Sequence, residues 1–171
     1  MIEVERLDAP TAYRHLDALA GVLADCVDGG ASVGYLAPLS AAEARRTFEE
    51  MLPDVASGRR VLVAAFDGGE LVGTGQLIHA HYPNQPHRAD VAKVLVHRSA
   101  RRRGVGRLVM ERLEHEALAS GRTLLVLDTA TGNAERLYER LGWTRSGTIP
   151  GYALMPDGRE CDTTFFYKRL A

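Results

Sequence analysis

The most informative segment of the chain runs from Val94 to Gly106 and reads VLVHRSARRRGVG. It begins as an apolar strand, passes through a basic loop and enters a helix at Gly104 and Gly106. A helix start presents unpaired N–H groups and the positive end of the helix dipole, so it attracts phosphate. Guanidinium groups add forked hydrogen bonds to phosphate oxygens. The stretch therefore predicts a pyrophosphate-binding loop, whose expected contacts are Arg101, Arg102, Arg103, Gly104, Val105, Gly106 and Arg107.

The position of the arginines favours this interpretation over a plain surface run. An arbitrary basic cluster is more often only solvated, but this one lies between a strand and a helix opened by glycines. No Gly-Lys-Ser/Thr follows, which argues against a Walker loop, and the third glycine of a dinucleotide fingerprint is missing. Nucleotide hydrolysis and hydride transfer are therefore not favoured.

Composition indicates one folded domain covering residues 1–171, with 46% hydrophobic and 25% charged residues. A net charge of −1 argues against a nucleic-acid or membrane-surface partner. The two cysteines, Cys26 and Cys161, are too few for a disulfide framework. The start of the chain does not resemble a signal peptide, and no apolar run reaches the roughly 20 residues of a membrane span. We expect a cytoplasmic protein.

Hydrophobic periodicity predicts alternating strands and helices. Strands are expected over 2–7, 60–66, 71–78, 89–96, 123–127, 143–149 and 163–168. Helices are expected from an N-cap at Asp8 to the glycines at 29–30, from a capping box at Ser40 to about Ala56, from Val105 to Gly121, and over 134–141. The apolar run 123–127 predicts a central strand covered on both faces.

The pattern Arg101-x-x-Gly104-x-Gly106 resembles the Arg/Gln-x-x-Gly-x-Gly/Ala signature of the GNAT acetyltransferases. The segments 127–129 and 133–143 resemble the second acyl-CoA contact region of that superfamily, so the likeness covers roughly residues 60 to 170. It implies an α/β fold of mixed α+β type, with a central, mostly antiparallel sheet of six or seven strands and about four helices. The segments 84–93, 127–129 and 150–152 resemble the subgroup that includes tabtoxin resistance acetyltransferase, which implies small amine or amino-acid-like acceptors.

The resemblance implies an N-acetyltransferase that uses acetyl-CoA and no metal. The backbone of Val94, Leu95 and Val96 is expected to pair with the pantetheine arm, with one N–H polarising the acetyl carbonyl. Asn133 is expected to contact the cofactor arm. Arg140 is expected near the phosphates, although an exposed pair with Glu139 is equally consistent with the sequence.

The leaving thiolate needs a proton, and a phenol is a plausible donor. Tyr138 occupies the position of the family's acidic tyrosine, and the alternative is a tyrosine that only packs. For the base we expect Asp128, since burial at a strand end would raise the pKa of its carboxylate. Asp128 is alternatively a cap or an orienting group for the substrate ammonium, and Asp90 and His87 remain alternative bases.

The acceptor pocket is expected to draw on loop residues, and the candidates are Tyr35, Asn84, Gln85, His87, Arg88 and Tyr152. His79, His81 and His87 lack the spacing of a familiar metal site. The expected partner is a small-molecule amine, and the protein is expected to be a monomer or homodimer. Two other functions stay open: a protein or peptide N-acetyltransferase, which needs an extended groove, and a non-catalytic acyl-CoA-binding sensor.

Overall fold

The computed structural model describes residues 1–130 and 132–171. In chain order its elements are β1 (Ile2–Leu7), α1 (Ala9–Arg14), α2 (Leu16–Asp28), α3 (Ala41–Ala56), β2 (Arg60–Asp67), β3 (Glu70–His79), β4 (Arg88–Val96), a 3-10 turn (Arg98–Ala100), α4 (Val105–Ala119), β5 (Leu124–Thr129), α5 (Gly132–Arg140), β6 (Thr144–Leu154) and β7 (Glu160–Arg169). None of the helices in the described part of the chain is long and apolar enough to cross a bilayer.

Both predicted helix caps are confirmed. The Asp8 side chain accepts a hydrogen bond from the Thr11 backbone, and Ser40 and Glu43 form a reciprocal capping box. The first predicted helix is divided at His15, whose backbone (φ −102°, ψ 10°) leaves the helical region. The His15 N–H closes α1 on Ala12, and α2 follows directly, so the described residues contain five helices where about four were expected.

Seven strands form one sheet in the order β1-β2-β3-β4-β5-β7-β6. Neighbouring strands are antiparallel except β4 and β5, which are parallel. The expected mixed, mostly antiparallel sheet is thereby confirmed, and β5 occupies the predicted central position. The last two strands are longer than the sequence predicts, because glycine and proline at 147–151 sit within β6 at register shifts rather than ending it.

The sheet has a packed layer of helices on each face. On β2 the side chains alternate: Leu62 and Ala64 pack against α1, α2 and α3, whereas Val61 and Val63 pack against the side that carries α4 and α5. We call the first side the α1–α3 face and the second the α4–α5 face. This division decides from which side each functional group reaches the centre of the sheet.

Helix α4 lies directly on β3 because two glycines there have no side chain. A Cβ added at Gly75 would lie 2.7 Å from Val109 Cγ1 and 2.9 Å from Leu113 Cδ1, and one at Gly73 would lie 2.8 Å from Val105 Cγ1. The glycines therefore set the distance between the sheet and the helix that follows the basic loop.

We predict that Gly75→Ala lowers the free energy of unfolding by about 1–3 kcal/mol through overpacking beneath α4. The matched control is Gly21→Ala on the exposed side of α2, where no atom lies within 4 Å of the added Cβ. That change should raise stability by roughly 0.5–1 kcal/mol, because alanine favours a helix over glycine. Urea denaturation measures both, and equal effects of the two substitutions would contradict the close approach at β3.

Candidate active site

Strands β4 and β5 begin side by side and then separate. In the described residues their ladder pairs only Arg88–Asp90 with Leu124–Val126, while the rest of β5 pairs with β7. From Val91 onward β4 pairs with β3 alone. The separation leaves an opening in the middle of the sheet, where the edge of β4 is available to a strand-like ligand.

A β-bulge in β4 lies beside this opening. Thr74 and Gln76 of β3 pair with Leu95 and Ala92, so β4 carries one extra residue, and Lys93 has a left-handed φ of 48°. Before the bulge Val91 packs on the α4–α5 face, and after it Val94 does. The bulge therefore reverses the alternation of β4, a feature that its apolar sequence did not reveal.

The loop after β4 ends in a helix start that no side chain caps. Gly104 is the N-cap of α4 with φ 79°, and it makes no side-chain capping bond. An added Cβ at Gly104 would have no atom within 4 Å, so the space before the helix is open. The uncapped N–H groups and the helix dipole make this position suitable for an anion, as the sequence predicts.

The four arginines around this helix start make different contacts. Arg101 Nε donates to Val96 O at 3.2 Å, so its guanidinium folds back on β4. Arg103 pairs with Asp67 at 2.7 Å, and Arg107 pairs with Glu111 at 3.0 Å. Arg102 is exposed at φ 62° and forms no ion pair with a described residue. Contact of all four arginines with phosphate stays a prediction. Of the four, Arg102 has the fewest polar contacts with the rest of the described protein.

The base of the loop is anchored to α2 by Asp25. Its carboxylate accepts from the Arg98 backbone N–H and Arg98 Nε, both at 2.8 Å, and lies 3.5 Å from His97 Nε2. Burial by itself raises the pKa of Asp25, but the hydrogen bonds from Arg98 outweigh it, so the pKa lies below its usual value. The sequence analysis missed this residue, because nothing local connects it to a loop about 70 positions away.

Tyr138 is buried on the α4–α5 face, with its ring 5.8 Å from Phe166 and 6.1 Å from Trp143. Burial, and secondly the negative charge of Asp128, raise the pKa of the Tyr138 phenol to about 12. The phenol therefore keeps its proton throughout the neutral range. Two other residues of the same helix, Asn133 and Arg140, are expected to contact the cofactor, and both are exposed.

The expectation that Asp128 is buried is wrong. Leu125 and Leu127 of β5 pack on the α4–α5 face, so Asp128 points to the opposite side, where β4 has moved away, and is exposed. For the same reason β5 is not fully covered on both faces as predicted. Burial is therefore no argument for choosing this carboxylate as the base, and only its position beside the opening supports that choice.

Lys93 is a further charged group at the opening, and the sequence analysis did not select it. Its Nζ donates to Val33 O at 3.1 Å and lies 5.3 Å from the centre of the Tyr35 ring. Burial lowers the pKa of Lys93, the charge of Arg60 lowers it further, and Asp128 acts in the opposite direction. Tyr35, whose hydroxyl contacts Thr47, thus lies close to the opening through its contact with Lys93, and its role in binding the acceptor stays a prediction.

The remaining substrate candidates are divided between two places. Tyr152 stacks edge-on against Phe165 at 5.6 Å, and Phe165 is the register partner of Asp128, which brings Tyr152 to the opening. Four others lie at the start of β4, where it still pairs with β5: Asn84, Gln85, His87 and Arg88.

The group at the start of β4 is engaged in local contacts away from the opening. Arg88 bonds to Gln85 and to Asp90 at 2.9 Å, and the His87 carbonyl accepts from Thr123 and Leu124. Six residues of strand, roughly 20 Å, separate Arg88 from Val94. His87 and Asp90 are consequently less well placed than Asp128 to act as a base. No three His, Cys, Asp or Glu side chains of the described residues are grouped to hold a metal.

Comparison with known proteins identifies the class. The sequence profile of the Acetyltransferase (GNAT) family matches residues 29–143, more than half of the chain, and the chain belongs to that family. It is accordingly an N-acetyltransferase that uses acetyl-CoA. The family expected from the Arg101–Gly106 signature is confirmed.

Solved structures share the whole fold at low sequence identity. An N-acetyltransferase from Staphylococcus aureus Mu50 is 17% identical, with a TM-score of 0.82 over 100% of this chain and 99% of that one. A ribosomal-protein-alanine N-acetyltransferase from Brucella melitensis is 22% identical (TM-score 0.79, 98% and 99% covered). A GNAT superfamily phosphinothricin acetyltransferase from Sinorhizobium meliloti, solved in complex with acetyl-CoA, is 19% identical (TM-score 0.81, 99% and 89% covered).

We predict that Gly104→Ala weakens the affinity for acetyl-CoA by about tenfold or more, because its Cβ enters the space before α4 where phosphate approaches. Gly58→Ala is a closely matched control: Gly58 also has φ 79° and open space around an added Cβ, but it lies in the turn before β2. Both variants should lose similar stability through left-handed strain. Calorimetric titration with acetyl-CoA should distinguish them, and equal affinities would place the phosphates elsewhere.

Proposed function

We propose that the protein transfers the acetyl group of acetyl-CoA directly to the primary amine of a small, amino-acid-like molecule, with both substrates bound in a ternary complex. The observation that carries this proposal is the position of Asp128. It is exposed at the opening between β4 and β5, and near enough to the protonated Tyr138 to affect the pKa of that phenol. One carboxylate and one protonated phenol are the pair of groups that amide formation from a thioester and an ammonium needs.

Asp128 serves the acceptor in this proposal. An alkyl amine is protonated near neutral pH and must lose a proton before it attacks. The exposed carboxylate binds the ammonium as it enters from the α1–α3 face, and then receives the proton directly or through water. An exposed position suits this role, because the acceptor has to reach the carboxylate from solvent.

Tyr138 serves the leaving group. When bound, acetyl-CoA supplies an activated acetyl thioester whose sulfur needs a proton as the bond to the acetyl carbon breaks. Tyr138 holds a proton at its hydroxyl oxygen across the neutral range, since its pKa is about 12. The rings of Trp143 and Phe166 fix the direction of the phenol, so the proton is offered from the α4–α5 face.

The segment between α2 and α3 favours a small acceptor over a peptide. Ser32 Oγ donates to Leu154 O, and the Ala37 N–H donates to Pro156 O, both at 2.9 Å. These bonds join the segment to the end of β6 and to the connection that follows it, while Val33 of the same segment accepts from Lys93 at the opening. A closed approach of this kind fits a small amine, whereas a peptide needs an extended groove.

The proposal is tested by measuring thiol release from acetyl-CoA with a panel of acceptors and identifying each product by mass. The panel contains phosphinothricin, L-amino acids, simple primary amines and peptides with an N-terminal alanine. Acceptor-dependent release with the small amines is expected, with release in the absence of acceptor as the background. Turnover of peptides alone would contradict a small-molecule enzyme, and tight acetyl-CoA binding without any turnover would indicate a sensor.

For the proton donor, we predict that Tyr138→Phe lowers kcat by about 10²-fold with little change in the KM for acetyl-CoA, because the ring packing is kept and only the donated proton is lost. Since the pKa is raised, the wild-type kcat should not fall through ionisation of this phenol between neutral pH and about pH 10. Tyr13→Phe, at an exposed position on α1, is the control. A Tyr138→Phe enzyme with the wild-type kcat across this pH range would leave Tyr138 with packing alone.

A further inference from the structure

Three charged side chains lie on the α1–α3 face of neighbouring central strands. Arg60 on β2 shares this face with Leu62, Lys93 on β4 reaches the segment before α3, and Asp128 on β5 alternates with the inward-facing Leu127. Lys93 and Asp128 stand on the two strands that separate. They therefore border the opening from opposite sides, one positive and one negative.

The Lys93 ammonium is only partly satisfied by the protein. It has three N–H donors, and its one hydrogen bond to the described residues goes to Val33 O. It forms no ion pair with any described carboxylate, although a half-buried cation is costly without one. The nearest atom to a Cβ added at Gly34 is Lys93 Nζ, at 3.7 Å. A backbone without a side chain thus lies beside the ammonium and leaves it accessible.

The backbone at Lys93 indicates that this position serves more than packing. A lysine with φ 48° in a strand bulge occupies a conformation that glycine or asparagine adopts at lower cost. The strained conformation turns Ala92 and Lys93 to the same face and carries the charge across to the acceptor side. The aromatic face of Tyr35 covers the ammonium from one direction and leaves its other directions to a ligand.

We infer that Lys93 binds the carboxylate of the acceptor while Asp128 binds its ammonium, so that the site selects zwitterionic amino acids over simple amines. The inference rests on the proposed function and specifies its substrate class. An α-amino acid carries an ammonium and a carboxylate a few bonds apart. The ammonium would pair with Asp128 on β5, and the carboxylate would pair with Lys93 on β4. Arg60 on the same face adds positive potential behind Lys93, which further favours an anion at this end of the acceptor.

The test compares the kcat/KM of each amino acid with that of its own primary amide, for phosphinothricin and for the L-amino acids of the acceptor panel. The acid and the amide differ in amine basicity, so the ratio of the two values is compared between enzymes rather than within one. Lys93→Met keeps an unbranched side chain only one atom shorter, together with the backbone strain, but removes the charge. We expect it to lower the acid-to-amide ratio by about tenfold or more, with the loss carried by KM.

Two further variants separate charge from structure. Lys93→Gln keeps a donor for Val33 O without the charge and should lower the ratio as Lys93→Met does, whereas Lys93→Arg should restore most of it. Arg46→Met, an exposed change on α3, should leave the ratio unchanged. Calorimetric affinity for acetyl-CoA should be the same in all the Lys93 variants.

The outcomes distinguish the inference from the function on which it rests. In one outcome, the acid-to-amide ratio stays unchanged in Lys93→Met and Lys93→Gln while both substrates are slowed equally. Lys93 would then only hold the Val33 segment in place, which would overturn the inference alone. A wild-type enzyme that acetylates amides and acids equally well after correction for amine basicity would do the same. Failure to acetylate any amine would contradict the proposed function itself.

Discussion

The separation of β4 from β5 creates the opening around which the residues of the proposed mechanism are arranged. Parallel strands ordinarily continue to pair, but here the ladder ends after three residue pairs and the bulge at Lys93 follows three positions later. The bulge bends and twists β4 while the antiparallel partner β7 holds β5 in place. The edge of β4 that faces β5 is thereby left unpaired by the described residues and open to a ligand, although β4 lies in the interior of the sheet. Without the separation, the basic loop would remain an anion site with no place for the acyl group.

The opening also brings together groups that the sheet would otherwise keep apart. Tyr138 approaches from the α4–α5 face, and Asp128 and Lys93 approach from the α1–α3 face. If β4 and β5 stayed paired, the backbone of the sheet would lie between the Tyr138 phenol on one face and the Asp128 carboxylate on the other. Because the strands diverge, the charge of Asp128 affects the pKa of both Tyr138 and Lys93. In the proposed function, the proton donor therefore lies on the α4–α5 face and the groups that bind the acceptor lie on the α1–α3 face.

Contacts distant in sequence hold this arrangement in register. Asp25 of α2 holds the start of the basic loop through Arg98, and Lys93 reaches the segment between α2 and α3. That same segment is hydrogen-bonded to the connection between β6 and β7. The N-terminal helices thus do more than cover one face of the sheet. They position both the basic loop before α4 and the side of the opening on which we propose that the acceptor binds.

Local sequence patterns were sufficient to predict the helices with their caps, the hairpin of β2 and β3, the glycine-opened start of α4 and the family. A capping box, an alternating strand and a glycine-opened helix depend on residues only a few positions apart. Three features follow from tertiary packing instead: the exposure of Asp128, the return of Arg101 to β4, and the distance of Arg88 and its neighbours from the opening. The same holds for the parts played by Asp25 and Lys93. These features depend on which face a side chain takes after a bulge and on partners 60 or more positions away, and no local pattern encodes either.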